Sequence, residues 1–179
     1  MKALLLRAFI HSSSFSPGIS PLMEYAQSEN ALLAESAIDY LRQNEVRDGR
    51  LHDLAVRLLE ERGLGSQALG LLEANYRRSD DALIARLIQR ASTIPHHVQM
   101  NIEGIYSRHR SPDAGPILLR VYRLGDCAFC REYVVRAMRH CGCLPDEILE
   151  ECLYDSYDET RAFAKRIMRN RARREKGVP

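Results

Sequence analysis

At 179 residues, with 45% hydrophobic and 28% charged side chains, the chain is long enough for one real core, burying roughly 70% of its unfolded surface. No apolar run reaches the length of about eighteen residues that a membrane-spanning helix needs. Eight Tyr, four Phe and no Trp disfavour sandwiches and barrels, and the net charge of +2 hides a lopsided set of 23 Arg against three Lys, interleaved with 24 acids as on solvated helix faces.

Residues 1–23 carry Lys2, Arg7, His11 and five serines (Ser12, Ser13, Ser14, Ser16, Ser20), with no acid before Glu24. That composition fits either an organellar import segment or a retained first helix, Lys2–His11, whose leucines and Phe9 dock on the next element. The retained helix is the favoured reading, with 1–20 as an N-terminal segment, 21–174 as a helical domain and 175–179 as a tail.

From Pro21 onward the periodicity predicts helix after helix. Asn30 caps a helix to Gln43 with Leu32, Leu33, Ala37 and Leu41 at helical spacing. Leu51–Arg62 follows, striped by Leu51, Leu54, Ala55, Leu58 and Leu59 and stopped by Gly63. Ser66 opens a helix with Ala68, Leu69, Leu72 and Tyr76 inward, and Ser79-Asp80 opens another with Leu83, Ile84, Leu87, Ile88 and Ala91. Pro95 begins a helix that runs to about His109 with Val98, Ile102, Ile105 and Tyr106 inward, and a helix carrying Ile117, Leu118, Val121 and Tyr122 ends at Gly125. Asp126–His140, Pro145–Tyr154 and Asp158–Arg174 complete nine or ten helices with short links. The fold class is all-α, built from antiparallel helical hairpins.

All five cysteines lie between Cys127 and Cys152, a poor disulfide framework that points to a reducing, cytoplasm-like compartment. Cys127-Ala128-Phe129-Cys130 starts a helix, where the N-terminus activates a thiol, but no strand precedes it as thioredoxin-like chemistry requires. A zinc site joining this pair to Cys141, Cys143 or His140 is ruled out by a helix of about 20 Å between them. Zinc would instead require ligands from another helix, such as Cys152 with His96 or His97. The plainer expectation is that the thiols fill tight helix contacts, so no metal and no cofactor are assigned. His52, His109 and His140 stand alone, and Asp80-Asp81 reads as a first-turn pair complementing a helix dipole. No P-loop, G-x-S-x-G or H-E-x-x-H motif occurs, so no enzymatic activity is expected.

The strongest pattern is an echo. Arg131, Tyr133, Arg136, Met138 and Arg139 return thirty positions later as Arg161, Phe163, Arg166, Met168 and Arg169, in the same order. Asp81, Asp113 and Asp146 each open a helix, at steps of 32 and 33 residues. Repetition at this period is the mark of stacked helical units. The pattern, best over residues 113–170, resembles HEAT-like repeats: an Asp-capped first helix, a tight turn, and a second helix edged by Arg. Its units are shorter than the family's usual length, and the rival tetratricopeptide pattern of Trp, Leu, Gly and Tyr is absent.

The resemblance implies a short α-solenoid whose concave groove binds a macromolecule. The expected function is a non-enzymatic adaptor that engages a protein partner through Arg131, Arg136, Arg139, Arg161, Arg166 and Arg169. The alternatives are nucleic-acid binding by the same edge and the basic run Arg161–Lys176, and a zinc- or thiol-dependent protein using Cys127, Cys130 and Cys152. Some HEAT-like proteins are alkylpurine DNA glycosylases with a tryptophan-bearing pocket, which a chain without Trp lacks.

Overall fold

The computed structural model describes residues 2–8 and 18–175, which form eleven α-helices and, among these residues, no strand. None of the helices is long and apolar enough to cross a membrane. The chain divides into two compact units, Met1–Arg90 and Ala91–Pro179. Within the first unit, α1 packs on α3.

The first unit holds α1 (Lys2–Ala8), α2 (Ile19–Ala26), α3 (Ala31–Gln43), α4 (Gly49–Arg62), α5 (Leu69–Asn75) and α6 (Asp80–Arg90). α3 packs against α1, α2 and α5, and α4 packs on α5. As the sequence indicates, Asn30 caps α3, its side chain accepting from the Leu33 N–H at 3.1 Å. Ala34, Ala37, Ile38 and Leu41 form the buried stripe, while Leu32 is exposed, so the face turns away from the expected Leu32 register. Gly63, at φ 64°, ends α4 in a conformation that favours glycine. A 3-10 turn, Gly63–Ser66, intervenes before α5, which starts at Leu69 rather than at Ser66. In α1, Ala3 and Leu6 are buried while Leu4 and Leu5 are exposed. The Phe9–His11 end of the expected first helix, with most of the serine-rich stretch, lies outside the described residues.

The histidine and acids read as isolated or superficial in this unit form a buried junction instead. His52 of α4 meets Asp80 of α6 through Nε2 at 2.9 Å and Asp53 through Nδ1 at 3.1 Å. Asp80 also accepts from the Arg77 N–H at 2.7 Å, and Asp81 accepts from the Tyr76 hydroxyl at 2.7 Å. Burial of Asp80, Asp81 and His52 follows from this satisfaction.

The second unit holds α7 (His96–Arg108), α8 (Ala114–Leu124), α9 (Ala128–Cys141), α10 (Asp146–Glu151) with a 3-10 extension Cys152–Tyr154, and α11 (Asp158–Glu175). α9 contacts α7, α8 and α11, and the α10 extension rests on α11. Val98, Ile102, Ile105 and Tyr106 are fully buried, as their spacing predicts, against a core that includes Leu118, Val121, Val135 and Met138. The aspartates expected to cap helices do not do so. Asp81 and Asp146 lie within the first turn of their helices, and Asp113 holds the N-cap position of α8 without a side-chain capping bond. Their charges suit the positive end of the helix dipole without supplying the cap itself.

Candidate functional site

The six echoed arginines separate into distinct environments. Arg131, on α9, donates through Nη1 to the Asp155 carboxylate at 3.0 Å and lies 5.9 Å from the Tyr122 ring centre. Arg161, its counterpart on α11, donates to the backbone carbonyls of Asp155 at 2.6 Å and Ser156 at 3.1 Å and pairs with Asp158. Both halves of the echo thus converge on the link between α10 and α11. A buried carboxylate is retained where it is paired and hydrogen-bonded, and Asp155 is both.

Arg136 pairs with the buried Glu132 one turn back, and its guanidinium lies 4.8 Å from the centre of the Phe163 ring. Arg166 reaches the same ring from α11, at 5.4 Å. Phe163 is itself buried, so it serves as a shared cation–π floor between the two helices.

Arg139 and Arg166 come together in a cleft of about 210 Å³ formed by α9 and α11. Its remaining walls are Phe163, Ile167, Asn170, Arg171 and Arg174. Arg171 pairs with Asp146. Among the described residues no acid is paired with Arg139, Arg166 or Arg174. The cleft therefore has an apolar floor and a rim of guanidinium groups suited to forked contacts with carboxylate or phosphate. Arg169 faces elsewhere, onto a separate recess with Leu153, Ala162, Lys165 and Met168. Arg171 and Arg174 entered the sequence reading only within the basic run Arg161–Lys176 and Asn170 not as a site residue, although 163, 166, 167, 170, 171 and 174 follow the spacing of a single helical face.

A second cluster lies at the start of α9. Cys127 is its N-cap, and the sulfur accepts from the Cys130 N–H at 3.4 Å. One turn on, the Cys130 sulfur lies 3.0 Å from Nδ1 of His96, the first residue of α7. Donor atoms of His96, Cys127 and Cys130 all fall within 4.8 Å of one another. Gly125 makes this approach possible. A Cβ there would sit 2.5 Å from Oε1 of Gln99, whose buried amide is anchored to the Ile94 carbonyl at 2.9 Å. The chain can pass close to α7 only because no side chain intervenes, and two residues later it delivers Cys127 beside His96.

Of the histidine alternatives, then, His96 meets the thiols and the adjacent His97 does not, since neighbouring helical residues diverge by about 100°. Cys152, the third candidate ligand, lies outside the cluster, buried with its sulfur 4.0 Å from the Tyr122 hydroxyl. Cys141 and Cys143 donate singly to the carbonyls of Tyr106 and Met138, each at 3.5 Å. These three behave as the small packing residues expected of free cysteine.

The two clustered thiols differ in acidity. The hydrogen bond from the Cys130 N–H lowers the Cys127 thiol below its ordinary range, whereas burial pushes Cys130 up to about 12. Burial likewise pushes Cys152 up to about 11. Because the thiolate is the nucleophile, iodoacetamide applied near neutral pH to reduced, chelator-treated protein should modify Cys127 well before Cys130 or Cys152. Peptide mapping by mass spectrometry reads the order, and earlier modification of Cys130 would contradict this ranking.

No family model, curated protein or solved structure matches the chain.

Proposed function

We propose that this chain is a non-enzymatic binding module of the HEAT-like helical-repeat kind, and that it takes an acidic protein segment into the cleft between α9 and α11. One observation carries the reading: Arg139, Arg166 and Arg174 surround an apolar floor without an acid paired to them among the described residues. Guanidinium groups gathered around Phe163 and Ile167 suit a segment that presents carboxylates beside an apolar side chain. The repeat reading draws support from the echo and from the packing of α9 on both α7 and α11. A protein segment is favoured over nucleic acid because Phe163 is buried beneath two arginines and offers no open face for stacking a base.

The test is fluorescence anisotropy with a labelled peptide of alternating Glu and Leu. The wild-type chain should bind it, and the double variant Arg139→Glu, Arg166→Glu should bind at least about tenfold more weakly, a change of about 1.4 kcal/mol. Both positions are exposed, so the helical circular dichroism should be preserved. Arg136 is left untouched because it is tied to Glu132. Unchanged peptide affinity in the variant removes the proposal. Tighter binding of duplex DNA or single-stranded RNA than of the peptide, falling steeply with salt, would replace it with the nucleic-acid reading.

A further inference from the structure

We propose that Cys127, Cys130 and His96 form a binding site for a zinc-class divalent cation, with the fourth coordination position left to solvent. The site is separate from the arginine cleft and does not depend on its occupant.

Three features of the cluster point to a metal rather than to packing. First, its donors come from the N-terminal ends of two helices, α7 and α9, with His96 and Cys130 34 residues apart in sequence, and all lie within 4.8 Å of each other. Tetrahedral zinc, with bonds of about 2.3 Å to sulfur and about 2.0–2.1 Å to nitrogen, holds its ligands at separations of this order. Second, the remaining cysteines show what a packing thiol looks like in this chain. Cys141, Cys143 and Cys152 each make a single contact to a carbonyl or hydroxyl group inside the unit. Only Cys127 and Cys130 share an imidazole. Third, the cluster opens outward: Cys130 is buried, Cys127 is half-buried and His96 is exposed. An ion can therefore reach the donors without unfolding the unit, and the exposed side leaves room for water as the fourth ligand.

Thiolate together with imidazole selects zinc and its soft neighbours over magnesium or calcium, which take oxygen ligands. Binding Zn²⁺ converts both thiols to thiolates and leaves His96 neutral, coordinating through Nδ1. Two protons pass to solvent, and the first coordination shell carries no net charge. The Cys130 N–H that already points at the Cys127 sulfur would then support a bound thiolate. Three protein ligands and one open position is the arrangement that leaves a metal able to bind or polarise a further small molecule.

Cobalt(II) titration of the full-length, reduced chain under anaerobic conditions tests the proposal. The expected result is one equivalent bound, with the intense visible bands of tetrahedral cobalt and a thiolate-to-cobalt charge-transfer band, displaced by added Zn²⁺. Cys127→Ser and His96→Ala should each weaken binding by at least about 100-fold, since loss of a residue that only hydrogen-bonds a metal ligand already costs about 10–100-fold. Both replace residues that are not fully buried, and circular dichroism verifies their fold. Cys143→Ser and Cys152→Ser should keep the spectrum. Absence of tetrahedral bands in the folded wild type overturns the proposal, as does a spectrum that survives His96→Ala and Cys127→Ser or vanishes in Cys143→Ser. A wild type that takes no cobalt but closes a Cys127–Cys130 disulfide in air would make the cluster a dithiol instead.

Discussion

Replacing Asp80 by Ala is expected to destabilise the first unit by about 2–4 kcal/mol, the loss of two hydrogen bonds to a buried carboxylate. The Asp80 side chain is 4% exposed and holds both His52 and the Arg77 N–H. Its loss removes the buried partner of the ring Nε2 and the acceptor of the part-buried Arg77 N–H. Domains are stable by only about 5–15 kcal/mol in total, so the change is a large fraction of the whole. Asp53 provides the control. It touches the other nitrogen of the same imidazole, but its side chain is 71% exposed, and Asp53→Ala should cost no more than about 1 kcal/mol. Urea unfolding followed by circular dichroism measures both, and equal losses would show that burial does not set the value of this junction.

The second large effect is expected at Asp155. Its side chain, 2% exposed, accepts from Arg131 at 3.0 Å and from the Tyr157 N–H at 2.8 Å, while its carbonyl accepts from Arg161. Asp155→Ala should cost about 3 kcal/mol, combining a charge-assisted bond with a backbone donor left without its acceptor. The same variant should leave affinity for the acidic peptide unchanged when measured below its unfolding transition, because Arg131 and Arg161 stand outside the cleft. A variant of undiminished stability, or one that loses peptide binding while still folded, would return these two arginines to the recognition surface.

The two carboxylates have a common logic. Each lies in or beside a short link, and each gathers donors from elements that approach it from different directions. Neither is distinguishable by residue type from the many exposed acids of the chain. The arginine repeat illustrates the same ambiguity. Its order along the sequence is plain, and the first members of its two copies do share one destination at Asp155. Yet the partners of a guanidinium are chosen by what lies within its reach in three dimensions. Arg131 and Arg161 meet a buried carboxylate and two carbonyls, Arg136 meets Glu132, and only Arg139 and Arg166 remain facing the cleft. Arg169, one position beyond the cleft-facing stripe of α11, is carried by the helical turn of about 100° to another recess.

What the amino-acid order determined was local. Asn30, Pro95, Gly125 and Pro145 sit at helix boundaries because their capping groups, fixed φ or missing side chain act within a few residues. The buried stripes of α4 and α7 were readable because a 3.6-residue period is a property of one segment alone. Tertiary structure decided everything that depends on two segments meeting. Leu32 was left in solvent because the neighbours of α3 cover a face centred on Ala37. His52 acquired Asp80 across 28 residues, and Cys130 acquired His96 across 34. Periodicity describes the direction in which a side chain leaves its own helix, whereas a site needs the position of the opposing atom, and that is set only when the helices pack.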